Sequence, residues 1–381
     1  MSIVILGAGY AGMMSAVRLA HRTRKLGVRI TLVNPSDRFV ERLRMHQTAT
    51  GQKLGDHRIP DVLAGTGIEF VRGAATAIDP DRHTVTVDNG QTLDYDTLVY
   101  ALGSRTDTST VPGVAEHAYT LNGPLDGSRF AARLAELRAG TVAVCGGGLT
   151  GIEAATEIAD SHPDLRVTLV STEAPGAMMG PGARAYLDRG LARLGVTVRA
   201  GVRVAKVLPD GVELETGELV AADACLWTAG VTVSRLAAES GIAVDERGLV
   251  LTDRTLRSVS HPDVYAVGDA AAVRMPWGQI HGTCQSGIPT GAHVADTIAR
   301  LLRGKPARPF HFGYVHQPVS LGRSDGVIQF TRPDDTPRRW YLRGRAAVAY
   351  KEMVSSSPVS TYRFSRFANL PVTLPGGRRE R

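Results

Sequence analysis

The chain has 381 residues, more than a single hydrophobic core normally supports, so two or three domains are expected. Hydrophobic residues make up 43%, charged residues 21% and the net charge is +7, values compatible with an ordinary soluble globular protein. No uncharged apolar run reaches the ~20 residues of a spanning helix, and three scattered cysteines exclude a CxxC metal site and a disulfide scaffold. A cytoplasmic protein, free or held on a membrane face, is therefore expected.

The first predicted elements are a strand, a glycine-rich loop and a helix. The strand Ser2–Leu6 (SIVIL) is followed by Gly7, Gly9 and Gly12 in a GxGxxG pattern, and Met13–His21 continues with helical spacing. In such a unit the first glycine makes the tight turn, the second lets the backbone approach a pyrophosphate, and the third lets the helix pack closely on the strand. The helix N-terminus then offers free N–H groups to the phosphates. This order predicts a dinucleotide-binding domain.

A second strand, Val28–Asn34, ends where an acidic residue usually binds the adenosine ribose. Asn34 occupies that place, and its amide can still hydrogen-bond a hydroxyl, although it supplies no charge. Asp37, three residues further on, is the alternative ribose ligand. The contact of Asn34 with the ribose is therefore expected to be weaker than the contact an acidic residue would make.

The same unit is repeated about 140 residues later. The strand Thr141–Cys145 precedes Gly146, Gly148 and Gly151 in a second GxGxxG pattern, then a helix, then the strand Arg166–Val170. Two such loops in one chain predict one resident dinucleotide and one partner dinucleotide.

Ser171 follows that last strand, at the place where enzymes selective for NADH usually carry an acid. A serine can donate to a ribose hydroxyl or to a 2′-phosphate, no arginine follows directly, and Glu173 disfavours the phosphate. A weak preference, with NADH slightly ahead of NADPH, is therefore expected.

Three further segments carry a family resemblance. Thr97–Ser104, Leu226–Val231 and Pro262–Ala270 resemble, in order and spacing, the two interdomain segments and the late flavin motif of FAD-dependent pyridine nucleotide oxidoreductases. The resemblance implies an α/β, glutathione-reductase-like fold with two Rossmann-like domains and a small C-terminal region, and FAD and NAD(P)H as cofactors. It implies that Asp269 hydrogen-bonds the ribityl or pyrophosphate part of FAD. It also places Ala75, Gly103 and Gly230 among the cofactor-binding residues.

Within that superfamily the sequence is most similar to type II NADH dehydrogenases. Glu153 stands where those enzymes place a carboxylate near the nicotinamide, and Arg42–Gly51 resembles their stretch lining the isoalloxazine. Gln285, after Cys284, matches their glutamine next to flavin and quinone, whereas their second glutamine is Pro289 here. The resemblance implies hydride transfer from NAD(P)H to flavin and on to an acceptor, with a quinone as the first choice.

Three side chains are the candidates for chemistry. Glu153 would orient the nicotinamide or carry a proton, unless it only balances the dipole at a helix N-terminus. His46 is a candidate proton carrier, and Gln285 is expected to touch the acceptor or the pyrimidine edge of the flavin. Arg42 is counted with the cofactor-binding residues.

The absence of certain cysteines narrows the reaction. Residues 36–55 contain no cysteine, which excludes the dithiol chemistry of disulfide reductases, and a second cysteine beside Cys284 for sulfide chemistry is not evident. Cys284 is expected to be a neutral contact rather than a reactive thiol. Two other functions stay open: a soluble tailoring oxidoreductase acting on a small organic molecule, and an NADH-responsive, flavin-bound interaction protein.

The expected organisation is discontinuous. Residues 1–110 and 236–304 form the FAD domain, residues 122–230 the NAD(P)H domain, and residues 305–381 a basic C-terminal region. This last region carries 14 Lys and Arg against 5 Asp and Glu, without a nucleic-acid motif, so nucleic acid is not an expected partner. Its strand candidates are Val327–Phe330 and Ala346–Tyr350.

The segment Tyr362–Phe367 interleaves aromatic and basic residues, as an interfacial segment would. Two interpretations are open: docking on an anionic membrane surface, or a strand or loop that packs Phe364 and Phe367 on the protein body or on a second subunit of a homodimer. The ending Leu374–Arg381 is expected to be frayed.

Overall fold

The computed structural model describes residues 1–368, so the ending Leu374–Arg381 lies outside the described part of the chain. Its first sheet has five parallel strands, with the N-terminal strand in the middle. Such an arrangement places the loops that follow the strands at one edge, where Rossmann sheets bind nucleotides. In spatial order the strands are Val264–Ala266, Thr97–Tyr100, Ser2–Leu6, Arg29–Asn34 and Glu69–Arg72.

Two helices pack tightly against each other beside this sheet. They are Tyr10–Thr23 and Cys284–Leu301. The hydroxyl of Ser15 donates to the carbonyl of Gly291 at 3.2 Å, and a Cβ on Gly291 would overlap the carbonyl oxygen of Ala11. Only glycine therefore allows this approach of the two backbones.

An antiparallel unit of three strands lies in the sequence between the first-sheet strands Glu69–Arg72 and Thr97–Tyr100. Its strands are Ala75–Asp79, Thr84–Val87 and Thr92–Asp94.

The second parallel sheet repeats the first, with the strand before the second glycine loop again in the middle. Its strands are Thr197–Ala200, Leu165–Ser171, Gly140–Cys145, Ala224–Trp227 and Ala118–Tyr119. Its longer helices are Pro124–Leu137, Leu149–Ser161 and Pro181–Arg193, and its antiparallel unit comprises Val204–Leu208, Gly211–Leu214 and Leu219–Ala221.

The chain passes between the two sheets twice, and the two passages pair with each other. Ser104–Thr106 and Val231–Val233 form an antiparallel ribbon. The fold is therefore the predicted α/β arrangement of two Rossmann-like units, whereas the limits proposed for the three parts of the chain stay a prediction.

Several short elements complete these two units. The short helices are Met45–Thr48, Ile59–Leu63, Val114–His117 and Leu236–Glu239, with 3₁₀ turns at Arg42–Arg44 and Gly268–Ala270. The short strands are Val250–Leu251, Ala271–Ala272, Arg274–Met275 and Gly278–Gln279.

The C-terminal region consists of three antiparallel strands and a last helix. The strands are His316–Ser320, Gly326–Thr331 and Pro337–Arg343, and the helix is Gly344–Ser365. The strand predicted at Val327–Phe330 is confirmed, but the one predicted at Ala346–Tyr350 is wrong because that segment is helical. Alanine favours helix, and the buried positions Ala347, Lys351, Ser355, Val359 and Tyr362 follow helical rather than alternating spacing.

Pro358 lies inside this last helix rather than at its boundary. A proline leaves the carbonyl four residues earlier without its helical N–H donor. Here the hydroxyl of Ser357 donates to the carbonyl of Val354 at 2.8 Å, which satisfies that oxygen. The helix therefore continues to Tyr362, whose fully buried ring packs edge-on against Phe39 and whose hydroxyl donates to the carbonyl of Tyr10 at 3.2 Å.

Phe364 and Phe367 are 64% and 73% exposed, so the prediction that they pack on the protein body is wrong for this chain taken alone. Tyr362, two residues before Phe364, is the aromatic residue of this segment that enters the core. Within residues 1–368, no helix is long and apolar enough to cross a membrane.

Histidines withdrawn from water make the fold sensitive to acid. Burial lowers the pKa of His293 and of His316 from 6.5 to about 4. The unfolded chain therefore takes up these protons first, and the stabilisation present above pH 6.5 is lost as the pH falls towards the folded pKa. The free energy of unfolding is expected to fall by roughly 3 kcal/mol for each histidine.

Urea titrations at neutral and mildly acidic pH measure this effect. His316→Gln should flatten the pH dependence, whereas His117→Gln, at an exposed position, should leave it unchanged. An equal pH dependence in His316→Gln and the unmodified protein would contradict the assignment.

Candidate functional site

The first glycine loop has the geometry of a phosphate site. A Cβ on Gly12 would overlap the carbonyl oxygen of Gly7, so the helix lies as close to the turn as glycine permits. By contrast, a Cβ on Gly9 would meet nothing within 4 Å, and Gly9 is the N-cap of the helix Tyr10–Thr23. Open space over the N-terminus of a helix fits a bound pyrophosphate.

Asn34 secures this loop. Its side-chain oxygen accepts a hydrogen bond from the backbone N–H of Ala8 at 2.9 Å, and its nitrogen donates to the carbonyl of Ser36 at 2.7 Å. The alternative, Asp37, pairs with Arg58 at 3.2 Å. Asn34 thus fixes the loop relative to the second strand, and contact with a ribose stays a prediction for both residues.

Three distant segments meet beside the loop. The hydroxyl of Ser104 donates to the carboxylate of Asp269 at 2.7 Å, and the guanidinium of Arg42 donates to the carbonyl of Ser104. A Cβ on Gly282 would press against the carboxylate of Asp269. The structure therefore brings Arg42 and Asp269 together around Ser104, which directly follows Gly103, and the contact of these residues with FAD stays a prediction. Ala75 lies half buried against the core in the first antiparallel unit.

The second glycine loop repeats the geometry of the first. A Cβ on Gly151 would overlap the carbonyl oxygen of Gly146, whereas one on Gly148 would meet nothing within 4 Å. Ser171 lies beside the loop, and its hydroxyl donates to the carbonyl of Glu173 at 2.6 Å. Gly230 stands directly before the ribbon strand Val231–Val233.

Glu153 lies in a buried cluster of charged groups. Its Oε1 is 2.7 Å from Nζ of Lys351 and accepts a hydrogen bond from the backbone N–H of Ser320 at 3.2 Å. Its Oε2 is 3.7 Å from Nδ1 of His46. Glu153 and His46 were predicted from the sequence, whereas Lys351 and Ser320 were not. The C-terminal region therefore contributes a buried cation to the predicted site.

The imidazole of His46 is held neutral. Burial, with the charges of Lys351, Arg323 and Arg44 nearby, holds its pKa well below the ordinary value. Its Nε2 is buried and, among the described residues, has no hydrogen-bond partner. A neutral imidazole beside an ammonium–carboxylate pair can accept a proton on an unoccupied nitrogen.

The helix Leu149–Ser161 holds the C-terminal region through one of its faces. The hydroxyl of Thr156 donates to the carbonyl of Ser320 at 3.2 Å, and the backbone N–H of Arg323 donates to Asp160 at 2.9 Å. The guanidinium of Arg323 lies 3.5 Å from the fully buried carboxylate of Glu157. This polar face can be recognised in the sequence because its residues are three or four positions apart, as on one side of a helix: Glu153, Thr156, Glu157 and Asp160.

Gln285, at the start of the helix Cys284–Leu301, is bonded to the same C-terminal region. Its side-chain oxygen accepts a hydrogen bond from the N–H of Val315 at 2.7 Å, and its nitrogen donates to the carbonyl of His316 at 3.1 Å. Both ends of the amide are therefore engaged by backbone. Contact with an acceptor stays a prediction, and the observed role of Gln285 is to position the first C-terminal strand.

The cysteines lack the features of a reactive pair at the flavin. Cys145 and Cys225 are buried on neighbouring strands of the second sheet, with their sulfur atoms 3.8 Å apart. Burial, together with the charge of Asp269, raises the pKa of Cys284 to about 12. The Cys284 thiol is therefore neutral at physiological pH, as expected for a packing contact.

Two Rossmann-like units, each with an open phosphate loop, and a late flavin motif beside the first loop define a flavin-dependent oxidoreductase that uses a nicotinamide nucleotide. The chain belongs to the pyridine nucleotide-disulphide oxidoreductase family, whose sequence pattern matches residues 1–297. FAD and NAD(P)H are accordingly its cofactors, and the two loops fit them.

Several proteins with similar sequences are named as NADH dehydrogenase-like proteins or as type II NADH:quinone oxidoreductases. An NADH dehydrogenase-like protein of Mycobacterium tuberculosis is 33% identical over 349 residues, which cover 85% of this chain and 86% of the relative. A type II NADH:quinone oxidoreductase of Staphylococcus saprophyticus is 25% identical over 390 residues, with 94% of each chain covered. These relatives confirm the resemblance to type II NADH dehydrogenases.

Solved structures share the fold. The sulfide:quinone oxidoreductase of Aquifex aeolicus superimposes with a TM-score of 0.84 at 20% identity, over 97% of this chain and 92% of the other. NDH2 from Plasmodium falciparum in complex with NADH gives a TM-score of 0.81 at 15% identity, over 96% and 97%. At such identities these likenesses establish the architecture alone.

Proposed function

We propose that the protein is an NAD(P)H:quinone oxidoreductase. The observation that carries the proposal is the buried cluster of Glu153, Lys351 and His46, formed where the nicotinamide-side helix, the flavin-lining stretch and the C-terminal region meet. Reducing a quinone to a quinol adds protons as well as electrons. A buried carboxylate, ammonium and neutral imidazole in contact supply groups that can hold and move those protons.

Each part of the chain has a task in this proposal. The first loop, with Arg42 and Asp269, holds FAD, and the second loop, with Ser171, holds the nicotinamide nucleotide. Bound FAD supplies the ring that accepts hydride and passes electrons on. Glu153 is bonded to Lys351 and faces His46, so it fits the proton-carrying role better than a free helix-end carboxylate would.

The names of the relatives support a quinone as acceptor, and the chemistry of Cys284 disfavours sulfide. Sulfur chemistry needs an accessible thiolate, whereas the thiol of Cys284 is held neutral and Cys145 and Cys225 lie in the second sheet. The two alternatives, a soluble tailoring oxidoreductase and an interaction protein, differ from the proposed function in the expected rate of NAD(P)H oxidation by a quinone. A steady-state screen of quinones, oxygen and dyes with NADH and NADPH separates them, because only the proposed function requires fast turnover with a quinone.

Attachment to a membrane face is part of the proposal, since long-chain quinones dissolve in bilayers. Along the last helix and just beyond it, Met353, Phe364 and Phe367 are between 61% and 73% exposed, and Arg363 is close to them in sequence. Exposed apolar side chains interleaved with cations suit an interface with anionic lipid. Homodimer formation is retained as a prediction only.

Gln285→Ala is expected to slow oxidation of the reduced flavin by quinone roughly tenfold, with a smaller effect on reduction by NADH. The reason is that the variant loses the hydrogen bonds to the backbone of Val315 and His316, which hold the strand His316–Ser320 in place. Stopped-flow absorbance measures the two half-reactions separately. Gln91→Ala, at an exposed position, is the control. Slowing confined to the reduction step would assign Gln285 to the nicotinamide side instead.

A further inference from the structure

A basic pocket of about 290 Å³ lies away from the cluster around Glu153. It is formed at the C-terminal ends of the helices Tyr10–Thr23 and Cys284–Leu301 and by the segment that follows the second of them. Its charged and titratable lining comprises Arg22, His293, Asp296, Arg300, Arg303, Arg308 and His311.

Positive charge exceeds negative charge in this pocket. Asp296 is its acidic side chain, and that carboxylate is already bonded to Arg18 at 2.8 Å and to Arg22 at 2.8 Å. Among residues 1–368, no carboxylate lies within ion-pair distance of the guanidinium groups of Arg300, Arg303 or Arg308, each of which borders the pocket. Three uncompensated cations around one cavity attract an anion.

Two of these arginines are held in place by backbone. Nε of Arg300 donates to the carbonyl of Pro306 at 2.9 Å, and Nη1 of Arg303 donates to the carbonyl of Ala299 at 2.6 Å. Nη2 of Arg303 also donates to the carbonyl of Arg22, which joins the ends of the two helices. A guanidinium has five N–H donors, so each keeps donors for a ligand while its orientation is fixed.

We propose that the basic pocket binds a phosphate group of a small anionic ligand, and that this binding stabilises the FAD-loaded protein. Planar guanidinium groups match the oxygens of a phosphate, and fixed orientation reduces the entropy lost on binding. The two helices that meet here carry, at their opposite ends, the first glycine loop and the Cys284–Gln285 pair. An anion held by Arg300, Arg303 and Arg308 therefore stabilises the junction in which Arg303 bonds the end of the first helix, and this junction joins two elements that frame the proposed flavin site.

The close packing of the two helices couples this junction to the proposed flavin site at their other ends. The hydrogen bond from Ser15 to Gly291 and the contact of Gly291 with Ala11 join the helices midway along their lengths. A ligand that opposes separation at one end therefore also opposes separation at the flavin end. The binding is independent of which electron acceptor the enzyme uses.

The test is thermal release of FAD from the holoenzyme, followed by flavin fluorescence, in sodium phosphate and in sodium chloride of equal ionic strength. The unmodified protein should show a higher release midpoint in phosphate. Arg300→Gln/Arg308→Gln should weaken phosphate binding, measured by calorimetry, at least about tenfold and remove the shift. Arg339→Gln/Arg345→Gln removes two exposed arginines outside the pocket and should keep both properties.

The comparison between salts, within each variant, separates binding from any general loss of stability. Equal midpoints in phosphate and chloride for the unmodified protein, or an unchanged shift in the Arg300/Arg308 variant, would overturn the proposal. A second arm uses phosphatidylcholine vesicles with and without phosphatidic acid. Pocket-dependent sedimentation with phosphatidic acid but no response to free phosphate would assign the pocket to a lipid headgroup and reject the small ligand.

Discussion

Gly9→Val is expected to yield a folded protein that no longer retains FAD. A Cβ at this position meets no other atom of the protein within 4 Å, so the fold tolerates the side chain. The valine would instead occupy the space over the N-terminus of the helix Tyr10–Thr23, where we propose that the pyrophosphate of FAD binds. Losing two such N–H contacts, at roughly 2 kcal/mol each, weakens FAD binding by about a thousandfold.

Gly148→Val is the matched change in the second loop, where the geometry is the same. This variant should keep its FAD and lose efficient use of NADH. Gly12→Val is the structural control, because its Cβ would overlap the carbonyl oxygen of Gly7 and should prevent folding. Flavin content after heat release, together with circular dichroism, distinguishes the three. Full FAD retention by Gly9→Val would contradict the assignment of the first loop.

Glu153→Gln is expected to slow oxidation of the reduced flavin by quinone roughly a hundredfold, the usual scale for a lost acid–base group. The amide keeps the shape of the side chain but cannot carry the proton, and it leaves the ammonium of Lys351 without its carboxylate. Reduction by NADH should change much less. Stopped-flow absorbance under anaerobic conditions resolves the two steps.

The control for this prediction lies one turn further along the same helix. Glu157 is also buried, and burial raises its pKa, but it bonds to Gln52 and Arg323 rather than to Lys351. Glu157→Gln should leave both half-reactions close to those of the unmodified protein. If Glu153→Gln slowed reduction as strongly as oxidation, Glu153 would instead orient the nicotinamide.

Local patterns predicted the parts of the fold that depend on neighbouring residues. The two GxGxxG loops specified strand, turn and helix through steric demands at Gly12 and Gly151, and the structure has both contacts. The segment Ala346–Tyr350 was mispredicted because a short apolar run does not distinguish strand from helix. What decided it was the burial of every third or fourth side chain up to Tyr362, a tertiary feature.

The site was only partly predictable because some of its contacts join distant parts of the chain. Glu153 followed from its place after the second loop, but its partner Ser320 lies 167 positions away. Lys351 belongs to no motif, and nothing in its neighbourhood indicates that its ammonium is buried against a carboxylate. Gln285 was recognised from the resemblance, yet its two backbone hydrogen bonds depend on how the first C-terminal strand packs.

In the proposed reaction, electrons pass from a nicotinamide nucleotide through bound FAD to a quinone. Stopped-flow absorbance under anaerobic conditions follows this sequence: the FAD-loaded protein is first reduced with NADH and then mixed with a water-soluble quinone, with oxygen or with buffer. NADH is expected to bleach the flavin, and the quinone is expected to restore its absorbance much faster than oxygen does. A flavin that NADH reduces but that quinone reoxidises no faster than oxygen would contradict the quinone assignment.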